Sequence, residues 1–353
     1  MHLFEYPWPE LASDPTILGL LAETERGRGA WEAVSDGRAA PLSSMASDTR
    51  IMSTLASNAI EGIRATPERG LAVAGGIAAP CTHDEREIAG YRDALTLVQE
   101  NHGAMEPTPG LILQLHRDLY RRSGESIGGR FKDSDNVIAE VGPDGALSTR
   151  FKPVSASRTP DAVEELCRAW SAAHEDGGVS PLLLCGAFVL DFTCIHPFSD
   201  GNGRMSRILT QLLLLKDGYD AVLYSPLEAV IERRRPEYYD ALQASSMGWH
   251  ENASDPRPFL TFHLEALTEC QQEARRRLEG RGGAPTSKGD RVVEFMAFHQ
   301  GPFRKADILA ALPDISEITV KRVLAQARRD GLLELLGSGR SSAYLWRGDA
   351  GRP

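Results

Sequence analysis

Twelve residues, His196 to Arg207, hold the side chains best suited to chemistry: His196, Asp200, Asn202, Arg204 and Arg207, with Gly201 and Gly203 among them. The two glycines let the backbone turn and come close to a ligand. The amides of Asn202, Gly203 and Arg204 open a helix, where unpaired N–H groups and the helix dipole favour an anion. Arg204 and Arg207 are three apart and should project from one face toward that same end. Each guanidinium can hold phosphate oxygens through two N–H groups. Asp200 would repel a phosphate unless a cation lay between them, and a carboxylate with phosphate oxygens is a usual Mg²⁺ site. His196, with an ordinary pKa of about 6.5, is suited to take a proton from an attacking hydroxyl. The set points to a nucleotide phosphate, a divalent metal and a base, and so to transfer of a phosphorus-containing group.

Two apolar runs must position this loop. The first, PLLLCGAFVLDFTCI over 181–195, is too long for one strand and reads as a buried helix. The second, from about Gly203 to Lys216, repeats Met205, Ile208, Leu209, Leu212, Leu213 and Leu215 at helical spacing and stops at Asp217-Gly218. The loop contains G-x-G-x-x-S rather than a full dinucleotide fingerprint, and the run before it is helical where that fingerprint needs a strand.

The stretch His196-Pro197-Phe198-Ser199-Asp200-Gly201-Asn202-Gly203-Arg204-Met205-Ser206-Arg207 resembles the signature of the Fic (filamentation induced by cAMP) family, H-P-F-x-[D/E]-G-N-G-R-x-x-R, at every position. The resemblance implies a helical Fic core and transfer of AMP from ATP to a protein hydroxyl. It makes His196 the general base and places Mg²⁺ on Asp200. Gly201, Asn202 and Gly203 would cradle the phosphates, Arg204 would bind the β-phosphate and Arg207 the γ-phosphate. Phe198 would be a core anchor.

Upstream, residues 48–63 read as a helix with Ile51, Met52, Leu55 and Ile60 as its apolar positions. Ser57 and Glu61 are four apart and share a face. A carboxylate in a last turn opposes the helix dipole, at a cost of about 0.3–1 kcal/mol, so Glu61 before Gly62 invites a reason. Ser57-Asn58-Ala59-Ile60-Glu61-Gly62 resembles the Fic inhibitory motif, [S/T]-x-x-x-E-[G/N]. That resemblance implies that Glu61 engages Arg207 and takes the γ-phosphate position.

The remaining chain reads mostly as helices. Residues 1–46 begin with aromatics and prolines and continue as a helix from about Pro15 to Val34. Residues 66–81, rich in Pro, Gly and Ala, read as a mobile loop. Thr82 with Glu85 suggests a capping box, and Thr108-Pro109 opens a further helix. His116 falls on an apolar helix and reads as a packed structural residue. Residues 124–155 break the helical pattern: Val137 and Ile138 lie in a short β run, Gly142-Pro143-Asp144-Gly145 in a turn, and Arg150-Phe151 in the return segment. By the resemblance this hairpin is the flap onto which an extended target segment adds as a strand. The Arg233-Arg234-Arg235 cluster reads as a solvated helix end. Tyr238-Tyr239 resembles a family pair in which one aromatic, here Tyr239, stands near the nucleotide base.

Charge and composition bound the rest. The chain has 353 residues and a net charge of −10, so the whole molecule is not suited to a polyanion. Residues 286–353 carry 11 Lys and Arg against 8 Asp and Glu, a net +3, which leaves −13 elsewhere. The five cysteines are scattered, without metal-site spacing, and read as reduced thiols of a cytoplasmic protein. The first residues lack the pattern of a signal peptide, and no stretch has the length of a membrane span.

The expected fold is mainly α: an N-terminal helical region (1–80) with an inhibitory helix (48–63), a Fic core (81–279) with a small β-hairpin flap, a linker (280–287) and a winged helix-turn-helix (288–353). Lys321, Arg322, Arg328 and Arg329 on its third helix and Arg340 in its wing suit DNA, while docking of a protein or a second copy suits it equally. The expected activity is that of a protein adenylyltransferase using ATP and Mg²⁺ on a Ser, Thr or Tyr hydroxyl of a target or of itself, restrained by Glu61. Transfer of UMP or phosphocholine, removal of AMP, and a nucleotide-sensing DNA-binding regulator stay open as alternatives.

Overall fold

The computed structural model describes residues 4–141, 147–280, 288–299, 301–312, 315–337 and 342–347. The turn at 142–145, most of the linker (281–287) and Arg340 lie outside them. The N-terminal region forms α1 (Trp8–Ser13), α2 (Pro15–Ser35), α3 (Ala39–Ile60) and α4 (Pro67–Ala74). The core follows with α5 (His83–Asn101), α6 (Pro109–Tyr120), β1 (Ile138–Val141), β2 (Leu147–Phe151), α7 (Thr159–Asp176), α8 (Pro181–Ile195) and α9 (Asn202–Lys216). Then come α10 (Leu227–Arg233), α11 (Arg235–Ser246) and α12 (Arg257–Glu279). The last unit is α13 (Lys288–Phe298), α14 (Lys305–Ala311), α15 (Glu317–Arg329), β3 (Leu333–Leu336) and β4 (Ala343–Trp346).

α8 is the axis of the core. Every residue of it except Pro181 and Thr193 is buried, as an apolar composition on all faces requires. It packs against α7, α9, α11 and α12. α9 is nearly as enclosed, from Arg204 to Leu215. The N-terminal strap is tied to the same axis: Asp191 of α8 accepts from the Phe4 amide, from Tyr6 Oη at 2.5 Å and from Trp249 Nε1 at 2.8 Å. A second, separate apolar cluster joins α13, α14, α15 and β3 through residues such as Phe295, Phe303, Ile308 and Leu324.

Several local expectations change. The helix carrying Glu61 begins at Ala39, nine residues before the expected start, and ends at Ile60 with Glu61 as its cap. Residues 67–74 are a helix rather than a loop, because Pro67 pre-sets its first turn and Val73 and Ala74 bury against Ile51 and Ile88. Thr82 does accept the Glu85 amide at 3.2 Å, but the capping box is incomplete. The Glu85 carboxylate instead takes the Cys81 amide at 2.7 Å and Arg69 Nη2 at 2.6 Å. The β1–β2 hairpin is antiparallel, with a register shift between Ile138↔Phe151 and Ala139↔Thr149 that leaves Arg150 as a bulge. Arg150 consequently turns to donate to the Tyr239 carbonyl and lies over its ring.

The last unit meets the core at α3. α13 and α14 both contact that helix, Gly301 sits against Ile51, and His299 Nδ1 lies 3.7 Å from Asp48 Oδ1.

The crossing of α5 over α6 depends on Gly90. A Cβ there would lie 1.9 Å from the Leu119 carbonyl oxygen, a backbone atom that cannot step aside. Gly29, on α2, has nothing within 4 Å of the same position. Gly90→Ala should cost about 1–3 kcal/mol through overpacking, whereas Gly29→Ala should be neutral or stabilise by up to about 1 kcal/mol. Thermal melts of the two variants beside the parent check this.

Candidate active site

The loop from His196 to Gly201 joins the end of α8 to the start of α9. α8 ends with His196 in the left-handed conformation (φ 51°), its amide still bonded to the Phe192 carbonyl at 2.9 Å. That reversal turns the imidazole out of the helix path. Its Nδ1 lies 3.2 Å from the Thr193 carbonyl, so Nδ1 carries the proton and Nε2 is the basic nitrogen. Burial is the main reason that its pKa falls to about 4, with Lys132 adding to the fall.

Gly201 caps α9 with φ 80° and passes close to Tyr120, a conformation that suits glycine. The Asn202 side chain turns into the loop. It is buried, and its side-chain amide is spent on the loop: Oδ1 accepts the Phe198 amide at 2.9 Å and Nδ2 donates to the Phe198 carbonyl at 2.8 Å. Phe198 is fully buried and stacks on His116, with ring centroids 3.6 Å apart.

The two arginines diverge rather than pointing together. Arg204, 2% exposed, reaches Asp200 Oδ2 at 3.3 Å, Tyr120 Oη at 2.7 Å and Glu87 Oε2 at 3.3 Å. Arg207, 3% exposed, turns to α3 and donates to Ser57 Oγ at 2.7 Å, the Ser57 carbonyl at 3.0 Å and Glu61 Oε1 at 2.7 Å. Three residues subtend about 300° on a helix. Long side chains can use that offset to reach different neighbours, and each arginine follows the carboxylate offered to it. Burial opposes the Arg207 charge, but Glu61 outweighs it and the pKa is raised. Burial also pushes the Asp200 carboxyl up, while the Tyr120 hydroxyl at 2.5 Å and Arg204 more than offset this and hold it below its ordinary value.

Glu61 comes very close to α9. A Cβ on Gly203 would lie 2.2 Å from its Oε1. The carboxylate therefore rests against the first turn of α9, where the amides and the dipole favour an anion. The misplaced charge at the end of α3 has its partner in Arg207 and in the opposite dipole of a second helix. Gly62 follows with φ 81° and lets the chain leave α3.

Beside this contact lies a cavity of about 610 Å³. Glu61, His196, Gly203 and Arg207 line one side, with Ile138 of the hairpin, Arg235 and Tyr239 on the others. Val137 is exposed at the hairpin's edge. Tyr238 is almost fully buried and packs against Phe259 and Phe262, so of the tyrosine pair it is Tyr239 that chiefly faces the opening. Asp200 and Arg204 are not part of this lining. The arginine cluster sits at the end of α10 as expected, with Arg233 and Arg235 exposed, while Arg234 is half-buried, pairing with Glu237 and Glu265 over the Phe262 ring, and Arg235 lies over the Tyr239 ring.

Sequence reasoning missed Tyr120 and Glu87, which hold Arg204 and Asp200 from α6 and α5. Nothing in their spacing marks them. A buried arginine's demand for partners was the available signal.

Residues 106–214 match the Fic/DOC family. The chain carries a Fic/DOC domain. Protein adenylyltransferase fic-1 of Caenorhabditis elegans is 25% identical over 211 residues, 58% of this chain and 36% of its own length. Protein adenylyltransferase Fic of Culex quinquefasciatus is 28% identical over 166 residues, 46% of this chain and 27% of its own. The chain thus spans about a third of the length of these curated relatives. Among solved structures, a Fic family protein from Desulfovibrio desulfuricans G20 superposes with a TM-score of 0.60 at 23% identity, covering 96% of this chain and 98% of that one. A segment of Fic-1 from C. elegans gives a TM-score of 0.57 at 20% identity over 73% and 71% of the two chains. The Fic/DOC domain spans α6 to α9 and so includes the whole His196–Arg207 loop.

Three buried histidines of this fold, His116, His196 and His263, are each held at about pH 4 by burial. The unfolded chain takes up those protons near 6.5, and the native state does not. Their contribution to stability is present above pH 6.5 and is lost as the pH falls toward 4. Melting temperature should therefore decline over that window. His263→Leu, which removes one of the three away from the loop, should make the decline shallower by an amount on the order of a few kcal/mol across the window. Melts at pH 7.5, 6.5, 5.5 and 4.5 read both slopes.

Proposed function

We propose that this chain is a protein adenylyltransferase that moves AMP from ATP to a Ser, Thr or Tyr hydroxyl, and that Glu61 restrains it. The observation that carries the reading is the Glu61 carboxylate, seated on Arg207 and against Gly203 at the mouth of the cavity that His196 lines. A triphosphate needs the same guanidinium and the same helix end, so the carboxylate competes with phosphate oxygens for one site.

In the proposed step His196 Nε2 accepts the target hydroxyl's proton as that oxygen bonds to the α-phosphorus. The bond from phosphorus to the α–β bridging oxygen breaks and pyrophosphate leaves. The imidazole is unprotonated at neutral pH, and the Thr193 carbonyl fixes its tautomer. The first turn of α9 and Arg207 would stabilise charge on the phosphates. Asp200 fits a divalent cation: its carboxylate is exposed, one oxygen is oriented by Tyr120, and its lowered pKa keeps it charged. Mg²⁺ held there would neutralise phosphate charge. Arg204, enclosed by Glu87 and Tyr120, would orient Asp200. Tyr239, with Arg235 across its face, offers a surface for an adenine ring. Ile138 faces the cavity from the hairpin, where an extended target segment could pair with the strand edge.

We read the last unit, in the order of a winged helix, as a docking module. One face of it already lies on α3, and on its third helix Lys321 is paired with Glu317.

Intact-mass measurement with Mg·ATP tests the proposal. Wild type should gain little or no AMP and Glu61→Gly should gain at least one AMP unit. Adding His196→Ala to Glu61→Gly should slow that gain by roughly 10²–10⁴-fold. Unchanged labelling in Glu61→Gly would sink the restraint, and labelling that survives His196→Ala would sink the base.

A further inference from the structure

The segment between α6 and β1 has a role that the signature does not assign. Helix α8 ends in the core, so its last carbonyls cannot all reach water and need partners. The partners come from this segment. Lys132 Nζ donates to the Ile195 carbonyl at 3.2 Å, and the Lys132 amide donates to the Pro197 carbonyl at 2.9 Å. Asn136 Nδ2 donates to the Phe198 carbonyl at 3.2 Å, while its Oδ1 accepts from Lys132 Nζ at 2.8 Å. The Gly129 amide orients His116 by donating to its Nδ1 at 3.0 Å, and His116 Nε2 then donates to the Asp200 carbonyl at 3.1 Å. Four carbonyls between residues 195 and 200 are thus held from outside the loop, three of them by Lys132 and Asn136.

Lys132 is 3% exposed. An ammonium so enclosed normally has a carboxylate in contact. Its hydrogen bonds go to an amide oxygen and to a carbonyl at a helix C-terminus, which is the negative end of the α8 dipole, while the Asp135 carboxylate acts on it through space. Ile195 is the residue immediately before His196. Two residues after Asn136, β1 begins and Ile138 faces the cavity.

We propose that Lys132 is a positioning residue for His196, and that Lys132 and Asn136 together fasten the root of the β1–β2 hairpin to the catalytic loop so that hairpin and base keep one spacing. The proposal rests on His196 acting as the base. A target strand laid on the hairpin then meets Nε2 at a distance fixed by this clamp. The charged groups facing His196 are Lys132 from the clamp, Glu61 from the end of α3 and Asp200 from its own loop. Arg207 lines the same cavity and is paired with Glu61. Lys132 is itself lowered to about 8 by burial, so it is charged over the range in which His196 titrates.

The test uses the full chain in the Glu61→Gly background, which removes the second of those charges. The His196 imidazole resonance is identified by its loss in His196→Ala and titrated in the parent, Lys132→Met, Lys132→Arg and Asn136→Ala. Lys132→Met should shift the resonance and raise the His196 pKa, because a positive neighbour is gone. It should also slow AMP transfer on the order of tenfold to hundredfold. Lys132→Arg, which keeps the charge and a donor, should recover part of both. A His196 titration and chemical shift unchanged by Lys132→Met would overturn the proposal, even if the variant melted earlier. If Lys132→Met does not fold, Asn136→Ala decides: it removes the Phe198 tether and one Lys132 partner, and an unmoved His196 resonance overturns the proposal. A His196 resonance that moves as described in a protein that transfers no AMP would uphold the clamp and refute the adenylyltransferase reading.

Discussion

The site is organised by the burial of α8. A helix with apolar side chains on every face can occupy the centre of a core, but its C-terminal carbonyls then finish where water cannot serve them all. The chain meets that demand at once. His196 takes the left-handed conformation and ends the helix. Lys132 takes the Ile195 carbonyl, Asn136 and Asn202 share that of Phe198, and His116 takes that of Asp200. These bonds leave the loop little freedom before any ligand arrives. The same bonds place the first turn of α9, with its unpaired amides, beside the His196 ring. An apolar helix thus sets up a polar site at its own end.

The second constraint is the enclosed guanidinium of Arg207. A cation this buried must be paired, and Glu61 pairs it here; under the proposed function the oxygens of a phosphate would compete for the same guanidinium. Removing the carboxylate without a replacement leaves a charge in the core, so an anionic ligand is favoured when Glu61 withdraws. What holds Glu61 in place is the whole of α3. Its outer face carries the last unit through Ile51 and Asp48. On another side a buried chain runs from Arg50 to Gln99, Gln211 and Glu228, where Tyr91 also donates. This chain links α3 to α5, α9 and α10. The proposed restraint would therefore be a property of a braced helix, of which the ion pair is the visible end.

Much of this was legible in the sequence because it rests on local rules. The apolar runs fix α8 and α9, Gly201 marks the turn, and Gly62 marks the end of α3. The dipole argument alone made Glu61 anomalous, and its contact with Arg207 is the structural answer. What local rules missed depends on contacts far apart in the chain. The divergence of Arg204 from Arg207 follows from carboxylates on α5 and α3, which no spacing within α9 encodes. Asn202 reads as a phosphate ligand by type, and nothing in its spacing revealed that its side-chain amide pairs with the Phe198 backbone four residues back. Residues 66–81 read as loop from their prolines, glycines and alanines, yet 67–74 form a helix. Small residues are also what a close packing against α3 and α5 requires, and burial of Val73 and Ala74 decides the matter. Arg235 is exposed, as its charge suggests, and what its spacing does not reveal is that it also lies over the Tyr239 ring.

A consequence follows for how substrate and nucleotide would meet. The cavity is bounded by the end of α3, the end of α8 with His196, the head of α9, and the hairpin with α11. Of these, α8 and α9 are the least able to move, since both are enclosed along their length. The hairpin is tied to the His196–Gly201 loop through Lys132 and Asn136 and to α11 through Arg150 and the Tyr239 carbonyl. The end of α3 is held by Ile60, buried in the main core, while at the site the polar groups of Ser57 and Glu61 bond to one arginine. An anion that pairs with Arg207 replaces those bonds in kind, whereas displacing the hairpin would strand buried carbonyls at the end of α8. On energetic grounds the movable part of this wall is therefore the partly exposed Glu61 side chain, and the braced α3, the hairpin and the loop form the fixed frame around it.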